Sequence, residues 1–83
     1  MPNYLLTIEI EEKAQRVVIH GDPDGLRYLA KSLEGIAASA DNLTTHHHLM
    51  TEDWGGTELT SQKQSLDNGV SLVNHLAIYG WKK

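Results

Sequence analysis

The sequence contains no cysteine, so neither disulfides nor a thiolate zinc site can hold the fold. That absence suits a reducing compartment. No run of apolar residues is long enough to span a bilayer, and the N-terminal stretch MPNYLLTIEIEEK has no basic leader. A cytoplasmic protein without membrane contact is the expectation. Positive charge is also scarce: seven Lys and Arg stand against eleven Asp and Glu, a formal net charge of −4. General nucleic-acid binders carry a basic patch, and none is visible, so no nucleic-acid partner is expected. A mildly acidic surface suits a basic protein partner. Internal repeats, low-complexity tracts and long linkers are missing too. At 83 residues the chain reads as one small domain, 1–83, burying about 60–65% of its unfolded surface.

What is present is organised around His20–Ala40. Asp22 is a good helix N-cap, because its carboxylate can accept an orphan N–H of the first turn. Pro23 follows at the first helical position, where a missing N–H costs nothing. Asp24 places negative charge at the positive end of the helix dipole. Leu26, Leu29, Ala30, Leu33, Ile36, Ala37 and Ala40 fall within an arc of roughly 120°, the width of a core-facing stripe. Asp24, Arg27, Lys31 and Glu34 lie opposite. A third flank carries Tyr28, Ser32, Gly35 and Ser39. A mid-helix glycine costs about 1 kcal/mol relative to alanine. Gly35 therefore marks either a close approach by a partner or strand, or a tolerated small residue.

The rest of the chain reads as strands. Tyr4–Ile10 alternates with a period of two, and Gln15–His20 is rich in β-branched residues. The short link between them predicts a hairpin. Thr45–Met50 (THHHLM) is a third strand, TEDWGGTELT a loop or an irregular hairpin, and 61–67 polar and ambiguous. Asn68-Gly69 is a turn signal. Val70–Trp81 is the longest strand candidate, apolar on both faces and so expected in the middle of its sheet. The predicted order is β-β-α-β-β. That is an α+β fold with one helix packed on a mostly antiparallel four-stranded sheet.

Chemistry-bearing residues are few. His46 and His48 point to one face of a strand and His47 to the other, so His46 and His48 can supply two imidazole nitrogens to a metal. A third ligand would come from His75, Glu52 or Asp53, and no spacing fixes which. The competing reading is a polar outer sheet face with one packed imidazole. An imidazole is the side chain suited to proton transfer near neutral pH, which makes His20 and His75 candidates, but no pocket or base partner is legible. No nucleophile elbow or phosphate-binding glycine loop occurs. Neither an enzymatic role nor a cofactor is expected. Trp54, flanked by Glu52, Asp53 and Glu58, either anchors a protein partner or folds back over the open sheet face.

Four pieces in order, GDPDGLRYLAKSL, HHHLMTEDWGGTEL, Asn68-Gly69 and VNHLAIYGW, resemble a family of small bacterial immunity proteins, family 32 of polymorphic toxin systems. The similarity runs from about His20 to Trp81. The resemblance implies a cytoplasmic, non-enzymatic antidote that binds and blocks a cognate toxin. It offers no catalytic residues. By resemblance, His46, His48, Glu52, Asp53 and Trp54 are the candidates for partner contact. Two alternatives stand beside it: a small metal-binding or regulatory accessory protein using the His46/His48 strand, and a homodimer paired through a free sheet edge.

Overall fold

The computed structural model describes residues 3–82. The elements run β1 (Leu6–Glu11), β2 (Arg16–Gly21), α1 (Pro23–Ala40), β3 (Thr45–Met50), a 3-10 turn η1 (Glu52–Trp54), β4 (Val70–Val73) and β5 (His75–Gly80). The α+β class and the first three strands agree with expectation. The single four-stranded sheet does not. There are two antiparallel sheets, one of three strands in the order β2-β1-β4 and one of two strands, β3-β5.

The difference arises at Asn74. The Val70–Trp81 stretch is not one strand. It breaks at Asn74 into β4, which pairs with β1, and β5, which pairs with β3. Asn74 is pinned from both its backbone and its side chain. Its carbonyl accepts the Thr51 N–H at 2.9 Å, and its Oδ1 accepts the Thr51 hydroxyl at 2.7 Å. These bonds turn the chain out of one sheet and into the other. The centre of the larger sheet is therefore β1, with Ile8 opposite both Ile19 and Val73. Leu6 and Ile8 are buried on one of its faces, Thr7 and Glu9 on the other.

Leu59 and Thr60, expected in a loop or an irregular hairpin, stitch the two sheets together. Thr60 N–H donates to the Leu6 carbonyl at 2.8 Å, and Leu6 N–H donates to Thr60 Oγ1 at 2.9 Å. On the other side Leu59 N–H donates to the Met50 carbonyl at 3.1 Å. Leu6, Ile8, Leu49 and Leu59 form the buried core, with Tyr4, Tyr28, Leu29, Val73, Leu76 and Ile78 packed around it.

The helix starts where its cap residues predict: Asp22 Oδ1 accepts the Gly25 N–H at 2.7 Å, and Pro23 opens the first turn. Its orientation is a correction. Gly25 is the one buried residue in it. The half-buried side carries Tyr28, Leu29, Ser32, Ile36 and Ala40, while Leu26 and Leu33 are 47% and 46% exposed. At ~100° per residue the buried line lies roughly 70° round from the centre of the apolar stripe. The cause is a close approach. A Cβ on Gly25 would collide with the Leu5 carbonyl. The bare backbone therefore seats on the start of β1, and Tyr28 stacks on Tyr4 at 5.3 Å. From there α1 runs over β3 and β5, touching β2 only lightly.

Candidate partner-binding site

Strand alternation puts His46, His48 and Met50 on the outer face of the β3-β5 sheet, with Tyr79, Ala77 and His75 opposite them. The three imidazoles and the phenol form one cluster. His46 stacks on Tyr79 with centroids 5.4 Å apart, and His48 meets His46 edge-on at 5.0 Å. His48 Nδ1 and His75 Nε2 lie 2.7 Å apart, a hydrogen bond in which one ring donates and the other accepts. Partial burial, then the charges of His75, His46 and His47, hold His48 below the usual imidazole range. His75 is thus the neighbour of the His-x-His pair. Among the described residues, however, no three His, Cys, Asp or Glu side chains are arranged to hold a metal ion.

Glu52, Asp53 and Trp54 lie on η1, just past the end of β3. The turn is built by the glycines after it. Gly55 takes a left-handed φ of 84°, and a Cβ on Gly56 would strike the Met50 carbonyl. Asp53 N–H donates to Ser61 Oγ at 3.0 Å. Trp54 is 60% exposed, so it does not fold back to shield the core.

Glu58 ties this turn to the sheet. Its carboxylate accepts the Met50 N–H at 3.0 Å, and the Thr57 hydroxyl and N–H at 2.7 and 3.2 Å. Burial alone would raise its pKa. Those bonds and the nearby His47 outweigh burial and lower it.

One cluster escaped the sequence reading. Glu9 lies at the centre of the larger sheet with its side chain fully buried. It accepts the Thr7 hydroxyl at 2.6 Å and the backbone N–H groups of Gln64 and Ser65 at 2.9 and 3.0 Å. Desolvation pushes its pKa up, but hydrogen bonds from Ser65, Thr7 and Gln64 pull it down to about 2. His20 Nε2 lies 3.2 Å from Ser65 Oγ and 3.9 Å from Glu9 Oε1. One nitrogen faces both groups. A nucleophilic relay needs the hydroxyl on one ring nitrogen and the carboxylate on the other. The cluster is a latch that holds segment 61–65 on the sheet. A Thr-x-Glu pair on one strand face is the single local signal of it.

The family model for immunity protein 32 matches residues 16–76, nearly three quarters of the sequence. The chain belongs to the immunity protein 32 family. That supports an immunity-protein role in general, and the family is generally non-enzymatic. No curated protein and no solved structure matches significantly. Among the described residues, no helix is long and apolar enough to cross a membrane.

Proposed function

We propose that this member of the immunity protein 32 family binds a cognate toxin domain in the cytoplasm and blocks it by occlusion, with His46, His48, Glu52, Asp53 and Trp54 in the contact. The observation that carries this reading is the family match across residues 16–76. The exposed Trp54 beside two carboxylates supports it, because a large exposed aromatic has few structural duties and tryptophan dominates interface hot spots. The acidic groups of η1 speed encounter with a basic toxin surface. A standard interface takes ~800 Å² from each partner, about a seventh of this chain's 5718 Å². Five side chains do not fill that area, so the contact extends onto neighbouring surface.

The test begins with the immobilised protein in lysate of its own host. A stoichiometric partner is identified by mass spectrometry, then expressed alone and together with this chain. Toxicity alone and rescue on co-expression are expected. Trp54→Ala is expected to weaken binding about thirty-fold, the size of a ~2 kcal/mol hot spot. A stoichiometric partner that is harmless when expressed alone ends the immunity reading, as does rescue without binding.

A further inference from the structure

The β3-β5 sheet has only two strands, so β3 pairs on one side and its other edge faces the helix. That edge is closed at one end by the chain itself. The Met50 N–H is taken by Glu58 Oε1 and the Met50 carbonyl by Leu59 N–H, and a parallel bridge joins Thr51 to Leu59. Both polar backbone groups of Met50 therefore point away from β5. With a period of two, the N–H and C=O groups of His48 and His46 point the same way. Among the described residues no strand lies against them.

An open groove of about 260 Å³ runs between this edge and α1. Lys31, Ser32, Gly35 and Ser39 line it from the helix, Thr45 and His47 from the strand. It is smaller than the ~300–1,000 Å³ of pockets that enclose a small-molecule ligand, and it is open along its length, which suits a few residues of extended chain. On its helix wall Ser32, Gly35 and Ser39 are small and stand between the larger Lys31 and Ile36. A Cβ on Gly35 would meet nothing within 4 Å, so this fold does not require glycine there although a helix pays about 1 kcal/mol for it. What the missing side chain preserves is the space of the groove. The charge is local: the chain is acidic overall, yet the lining carries Lys31 with the imidazoles of His46 and His47 and no carboxylate, the nearby Glu58 being held by Met50 and Thr57 at the end of the edge.

We propose that this groove receives an extended, acidic segment of the partner protein, which adds to the free edge of β3 as a third strand. The inference rests on the protein-binding reading and names where and how the partner docks. Backbone hydrogen bonds to His46 and His48 supply the pairing, and alternate guest side chains enter the groove. An inward carboxylate meets Lys31 and His47. Glu58 already provides the precedent one step along the same edge, where a carboxylate satisfies the Met50 N–H.

The test uses the full chain labelled with ¹⁵N, titrated with a capped heptapeptide of alternating valine and aspartate, and with its valine–lysine counterpart. The aspartate peptide is expected to shift the amides of Thr45–His48 and Lys31–Ser39, and the lysine peptide to leave them in place. Lys31→Glu is expected to weaken the aspartate peptide about ten-fold. Gly35→Leu is expected to keep the fold, with an unfolding midpoint at or above the parent's, and to abolish the shifts. No shift at about 5 mM peptide, equal shifts from both peptides, or undiminished binding by Gly35→Leu overturns the proposal. The toxin assay separates the two readings. A parent that binds no toxin ends the immunity reading, whereas a Gly35→Leu variant that binds toxin as tightly as the parent ends the groove reading alone.

Discussion

Replacing Glu9 by glutamine removes a charge that the fold has built a cage around. The carboxylate is fully buried and accepts three hydrogen bonds from Thr7, Gln64 and Ser65. Its pKa is lowered from 4.5 to about 2. A depressed carboxylate pKa contributes stability that is fully present above the unfolded value and lost as pH falls through the folded one. The window is therefore pH 4.5 down to 2. At ~1.4 kcal/mol per pH unit, that window corresponds to about 3 kcal/mol. A domain of this size has a total stability of roughly 4–12 kcal/mol, so the effect is large. Glutamine can accept at one position only and turns an N–H₂ toward a backbone donor, which costs about 2–3 kcal/mol at pH 7. Urea unfolding of parent and Glu9→Gln at half-unit steps from pH 7 to 2 measures both effects. The parent is expected to lose about 3 kcal/mol more than the variant between pH 4.5 and 2. Parallel pH profiles for the two proteins would refute the reasoning, because they would mean that Glu9 is not an ionised anchor.

Four further outcomes follow from the geometry. Gly25→Ala forces a Cβ into the Leu5 carbonyl and is expected to destabilise by roughly 2 kcal/mol or more, read from the urea midpoint. Asp22→Ala removes the cap on Gly25 N–H and is expected to cost about 1 kcal/mol by the same measurement. Trp54→Ala is expected to change stability by less than about 0.5 kcal/mol, since the ring is 60% exposed, while weakening partner binding. His48 is expected to titrate below pH 6.5 in histidine NMR spectra. Its burial and its imidazole neighbours disfavour the cation, so it contributes stability that fades as pH falls through its titration. A midpoint at or above the ordinary value would mean that the His48–His75 contact does not persist.

The sequence was most informative where structure is locally encoded. The Asp22-Pro23 start, the end of the helix at Ala40 and the bounds of β3 all follow from caps and alternation. What local pattern cannot carry is which of several apolar lines a helix buries. Leu26 and Leu33 are as apolar as Leu29, yet contact of Gly25 with Leu5 decides the rotation. The break at Asn74 was equally hidden, because its causes are two bonds to Thr51, distant in sequence. Alternation puts Glu9 on the face opposite Leu6 and Ile8 but does not tell what covers it; segment 61–65, which does, has no periodicity to read. For the site, alternation correctly predicted that His46 and His48 share a face, while His75 stood beside Glu52 and Asp53 as a candidate by residue type alone. Register across strands then decided which candidate came close. The groove at β3 needed the helix rotation and the free edge together, so no single stretch announces it.

The split at Asn74 also governs how the protein comes into being. β1 is the central strand of the larger sheet, but only one of its neighbours, β2, is close in sequence; the other, β4, lies roughly sixty positions away. Leu6 likewise waits for Thr60 to satisfy its backbone. The early hairpin and helix thus find their remaining core partners only in the last strands, and the two sheets share one continuous stretch through Asn74. Closing such distant contacts is entropically slow.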